Sequence, residues 1–174
     1  MASNRALAPI SRGLWAGTEN LLVKAMRALR AGDQERATAL VRRAVALPFD
    51  DHEGAPPVAM AAQTLLFGAL VDALEDYDEG DERWLDPALT LLGSDEAARV
   101  DLRRALAAIA QDYDISPAER RRIRAAVADG PEAPELHDEL TLTDAEMQAR
   151  IGSVLRLCVA YEDAVEAFWS SSES

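Results

Sequence analysis

Asp50-Asp51-His52-Glu53 is the densest run of metal-type ligands in the chain, and Gly54 follows it at once. Hard carboxylates beside an imidazole suit a divalent cation when ligands from elsewhere converge on them. Asp50, Asp51, His52 and Glu53 are therefore the candidate metal site. The competing reading is a polar loop between helices, with its acids near the N-terminus of the helix that follows. No HExxH or paired ExxH spacing accompanies the cluster. His137-Asp138-Glu139 is a second, sparser set, and it holds the other of the two histidines.

Asp76-Tyr77-Asp78-Glu79-Gly80-Asp81 has the look of a calcium loop but not its spacing. That pattern needs glycine at the sixth place and a bidentate Glu at the twelfth. Counted from Asp76, those places hold Asp81 and Pro87. A solvated acidic face explains the run better. Carboxylates at helical spacing raise a different chemistry. All-α nucleotide pyrophosphohydrolases hold magnesium with ExxE and ExxD carboxylates on neighbouring helices, where the metal polarises a phosphate and activates water. Glu75-xx-Asp78 and Glu79-xx-Glu82 are similar in spacing. They fall in and after one helix end, however, and Glu162 and Glu166 have no matched pair that the sequence reveals.

Arg120, Arg121, Arg122 and Arg124 form the one dense basic patch. They suit a phosphate or an acidic partner, but the surrounding acids offer many internal partners. Cys158 stands alone, which excludes an internal disulfide, a CxxC motif and a cysteine-based zinc site. It falls on an apolar helical stripe and reads as a small core residue, not a nucleophile. No GxGxxG, GxxxxGK[ST] or GxSxG occurs, and neither histidine stands beside a nucleophile motif. No catalytic residue and no cofactor site is assigned.

Charge narrows the field further. Acids number 31 against 18 bases, a formal net charge of −13. The mean field of such a chain repels phosphate, so nucleic acid and anionic membranes are poor partners. At 174 residues, 49% apolar and 28% charged, the chain is long enough for one domain with a real core. Lys24 is the single lysine and alanine dominates, a pattern of high-GC bacterial coding. The start MASNRALAPISRG lacks the apolar centre of a signal peptide. The uncharged run from Ala55 to Val71 has an apolar core short of a bilayer span. The expectation is a soluble cytoplasmic protein.

The elements that must position these residues are helices. Residues 1–16 show no period, and Pro9 and Gly13 argue for an irregular arm carrying Leu14 and Trp15. From Thr18, Leu21, Leu22, Ala25, Met26 and Leu29 mark one apolar face. Gly32 closes that helix and Asp33 caps the next, which Pro48 ends, so residues 18–47 form an αα-hairpin. Pro57 opens a third helix that is uncharged on every side from Val58 to Val71, the pattern of a buried central element. The acidic run follows it. Trp84 and Leu85 restart apolar packing, Pro87 to Leu92 suits a short helix, and Ser94 caps a fifth. Ser116-Pro117-Ala118-Glu119 and Thr143-Asp144-Ala145-Glu146 are capping boxes that open the sixth and last helices. With no period-two alternation, the fold class is all-α: one helical-bundle domain of about seven helices over 17–170, with a frayed tail at 171–174.

The hairpin resembles a tetratricopeptide unit over residues 18–48. Ala25, Gly32, Ala37 and Ala44 fall where that family packs helix on helix, and Pro48 stands near the repeat end. Leu21 and Ala28 stand where the family carries a large aromatic, and Pro48 comes about one residue early. The resemblance covers the hairpin alone, and no second copy follows at a period of about 34 residues.

A complete core, good caps and no catalytic signature point to a non-enzymatic protein-interaction module with an unidentified protein partner. One alternative is an acidic inhibitor or immunity-type protein for a basic partner, since opposite charge speeds association. Another is a metal-dependent hydrolase using helix carboxylates. Large apolar residues at both chain ends, Leu14 with Trp15 and Phe168 with Trp169, need covering, which suggests either a homodimer through a symmetric patch or mutual capping within the monomer.

Overall fold

The computed structural model describes residues 2–48, 56–78, 80–93, 96–128 and 142–172. Among them the chain is all-α: α1 (Ala2–Arg30), α2 (Gln34–Val45), α3 (Pro57–Asp76), a 3-10 turn (Glu82–Trp84), α4 (Leu85–Leu91), α5 (Glu96–Asp112), α6 (Pro117–Ala128) and α7 (Asp144–Ser172). The chain divides into two compact units, residues 1–62 with 135–155 and residues 63–134 with 156–174.

In the first unit α1 and α2 pack as the αα-hairpin the sequence leads one to expect. The junction is built from two residues. Gly32 takes φ +79°, its N–H donates to Leu29 O at 3.1 Å, and the Asp33 N–H donates to Ala28 O at 2.9 Å. That pair of bonds is a Schellman closure, and it needs a residue that tolerates positive φ. Asp33 then turns from closing α1 to capping α2, its Oδ1 accepting from the Arg36 N–H at 3.0 Å. Leu22, Ala25, Met26, Ala37, Leu40, Val41 and Ala44 are buried, as their spacing requires. At the start of α7, the Thr143 hydroxyl accepts from the Glu146 N–H at 3.1 Å while Glu146 Oε1 accepts from the Thr143 N–H at 3.4 Å.

Two boundaries differ from the expected ones. The first helix begins at Ala2, so residues 2–16 are helical where an irregular arm is expected. Pro9 removes one i→i−4 bond, but Ala2, Arg5, Ala6, Leu7 and Ala8 around it favour helix. At the other end α7 continues to Ser172.

The third helix corrects a second expectation. It is not buried all round. Val58, Ala59, Ala61, Ala62, Leu66, Leu70, Val71 and Ala73 are buried, whereas Thr64 is exposed and Met60 is 40% exposed. Much of its apolarity comes from alanine and from Gly68, whose small surfaces cost little to leave in water. By length and composition α3 is also long and apolar enough to cross a membrane, contrary to the shorter span inferred from its uncharged run.

The second unit is organised around Trp84, which is fully buried. The capping box at α6 works in both directions: the Ser116 hydroxyl accepts from the Glu119 N–H at 3.1 Å, and Glu119 Oε1 accepts from the Ser116 N–H at 3.1 Å. Glu119 is itself 1% exposed and takes two more donors, the Gly80 N–H at 3.3 Å and the Trp84 indole N–H. From α7, the Tyr161 hydroxyl donates to the Trp84 carbonyl at 2.7 Å. One carboxylate thus ties the turn after α3 to α6, and one phenol ties α7 to the same tryptophan. Leu66, Leu70, Leu85, Leu102, Leu106, Ile109, Ile123 and Cys158 complete the core of this unit.

Candidate functional site

The sequence-predicted metal residues Asp50, Asp51, His52 and Glu53 lie outside the described residues, as do His137, Asp138 and Glu139. Among the described residues no group of three or more His, Cys, Asp or Glu is placed to hold a metal ion.

The basic patch is largely occupied by its own unit. Arg120 donates to the Ala110 and Tyr113 carbonyls at 2.9 and 3.0 Å, closing the C-terminal end of α5. Arg122 pairs with Glu82 at 2.7 Å and Asp86 at 2.8 Å, and these acids, Asp86 first, push its guanidinium further toward the charged form. Arg121 and Arg124 are exposed. Cys158 is buried, in agreement with its place on the apolar stripe.

The second unit contains a cleft of about 420 Å³, within the range of ligand sites. One wall is α3, which presents Ala69, Asp72, Ala73 and Asp76; the other is α7, which presents Tyr161, Glu162, Val165, Glu166 and Trp169. These sets recur at three and four residues, so each is a single helix face. On each face two carboxylates stand one turn apart, Asp72 with Asp76 and Glu162 with Glu166. Among the described residues the lining holds four acids and no base. Asp72, Asp76 and Glu166 make no ion pair or side-chain hydrogen bond there.

The cleft's aromatic end is built by a second set of contacts. Trp169, 39% exposed, stacks on Tyr77 with centroids 5.0 Å apart and an interplanar angle of 16°. The Arg83 guanidinium lies 4.8 Å from the Tyr77 ring centre and 5.9 Å from that of Trp169. Asp81 holds that guanidinium, with Arg83 Nε at 3.0 Å and Nη2 at 2.6 Å from its oxygens. The side-chain hydrogen bond from Arg83 is the main cause that keeps the Asp81 carboxyl below the usual carboxylate range. Burial pushes the Tyr77 phenol up, with Arg83 opposing, and the Tyr77 hydroxyl is buried with no hydrogen-bond partner. Burial likewise raises the Tyr161 phenol, with a smaller electrostatic contribution from Tyr77.

Sequence reading finds Glu162 and Glu166 but not their counterparts. Asp72 and Asp76 share the same i, i+4 spacing, and that spacing is the signal available. Nothing local says that the two pairs face one cleft.

Compared with protein-family models, with curated proteins and with solved structures, the chain has no match in any of the three.

Proposed function

We propose that this chain is a non-enzymatic protein-interaction module and that it receives a basic segment of a partner protein in the cleft between α3 and α7. One observation carries the reading: four carboxylates on two helix faces line a single cleft with no base among its described residues. The net charge of −13 adds a long-range field of the same sign, which steers a basic chain toward the cleft and speeds encounter. Apolar walls from Ala69, Ala73 and Val165 give the stem of a long cationic side chain surface to cover. The hydrolase reading needs at least three ligands around one point, an arrangement the described residues do not supply.

The test is binding of a short lysine- and arginine-containing peptide by calorimetry at low and at physiological salt. Wild type is expected to bind, more weakly as salt rises. Replacing Asp72, Asp76, Glu162 and Glu166 together by Asn, Asn, Gln and Gln should abolish the heat. Undiminished binding by that variant would overturn the cleft as the interface.

A further inference from the structure

We infer that the cleft selects arginine over lysine: the partner segment inserts a guanidinium between the Asp72/Asp76 and Glu162/Glu166 rows and lays its plane against Trp169. The inference rests on the proposed basic partner and names which cation that partner presents.

Two observations favour arginine. The first is the shape of the acidic lining. Carboxylates one turn apart on each wall offer acceptors in pairs, and a guanidinium presents five N–H donors in a rigid plane that can address both walls at once. An ammonium is a compact point charge with three donors. It is also the more strongly hydrated cation, so bringing it against Ala69, Ala73 and Val165 costs more.

The second is the aromatic end. Trp169 lines the cleft and keeps more than a third of its surface open. The Tyr77–Trp169 pair already carries one cation, and that cation is the planar guanidinium of Arg83. Indole is the strongest of the side-chain π faces, and arginine adds stacking to the electrostatic attraction. Arg83 is held by Asp81 through two hydrogen bonds and is not among the residues that line the cleft.

The experiment compares hexaarginine with hexalysine on the full chain at about 0.15 M salt, by calorimetry and by tryptophan fluorescence. Hexaarginine should bind about tenfold more tightly, the order of one cation–π contact added to better hydrogen bonding. Trp169→Phe should weaken hexaarginine more than hexalysine and so bring the ratio of the two affinities down. A parallel Asp72→Asn, Glu166→Gln variant, changing two exposed side chains that hold no structural contact, should weaken both peptides. Equal binding of the two peptides, lost together in the carboxamide variant, would overturn the arginine preference and leave the basic partner standing. An arginine preference untouched by Trp169→Phe would overturn the stacking. Absence of binding by either peptide, or binding indifferent to the carboxamide variant, would overturn both this inference and the reading beneath it.

Discussion

The indole N–H of Trp84 is satisfied by the carboxylate of Glu119, 35 residues later in the chain, and both side chains are almost fully buried. A buried indole needs an acceptor, and a buried carboxylate needs donors. Each meets the other's requirement. Because Glu119 also closes the α6 capping box and holds Gly80, this one carboxylate fixes three chain segments. Tyr161 adds a fourth through the Trp84 carbonyl, and Tyr161 is a wall of the cleft.

Glu119→Ala should therefore be far more damaging than the loss of an ordinary cap. A cap alone is worth about 1 kcal/mol. Removing this one strands the Trp84, Gly80 and Ser116 N–H groups, and roughly 3 kcal/mol or more should go. Urea denaturation measures it. Trp84→Phe removes the indole N–H and leaves a cavity where the larger bicyclic ring was buried, and the double variant should cost less than the two single changes combined. Strict additivity would show that the two side chains are not coupled.

Leu66→Asp should unfold the second unit. Leu66 is fully buried on α3, and an uncompensated charge there costs about 3–5 kcal/mol, a large share of a domain's stability. Circular dichroism and a thermal melt decide it. A helical variant with unchanged melting would remove α3 from the core.

Gly32→Ala tests the hairpin junction. No atom lies within 4 Å of the Cβ that would be added, so the change introduces no clash. Its cost is the backbone alone: φ +79° is a conformation that an L-residue pays about 1 kcal/mol to adopt. The melting temperature should fall by about 2–4 °C. No fall would mean that the α1–α2 turn relaxes to another closure.

What was legible in the sequence was the chemistry closed within one helical turn. Gly32-Asp33, Ser116-Glu119 and Thr143-Glu146 all make the hydrogen bonds their types and spacing imply, because both partners lie within five residues. The apolar face of α1 and the apolar stripe that carries Cys158 were readable for the same reason. The start of α1 was not, since Pro9 and Gly13 weigh against helix locally while the neighbouring alanines outweigh them. The half-exposed state of α3 was hidden because alanine counts as apolar whether or not anything covers it. The cleft was hidden most completely. Asp72 and Glu162 meet in one lining across ninety residues of chain, and i, i+4 spacing says which acids share a face but not which faces oppose.

The last prediction concerns alkaline pH. Burial, first, and the nearby Tyr77, second, raise the Tyr161 phenol above the ordinary tyrosine value near 10. The folded state therefore holds that proton more tightly than the unfolded chain does. The resulting stability is fully present below about pH 10, where both states are protonated, and drains away as pH climbs from there toward the folded value. Tyr77 is displaced in the same direction, so the two phenols act together. The urea midpoint should be flat up to about pH 9 and then fall, with stability dropping by about 1 kcal/mol per pH unit for each phenol that remains protonated in the folded state. Tyr161→Phe separates this cause from general alkaline repulsion. Its stability at neutral pH should be lower, because the Trp84 carbonyl loses its donor, but its decline above about pH 10 should be shallower than that of wild type. An equally steep decline in the variant would show that Tyr161 ionises as freely in the folded chain as in the unfolded one.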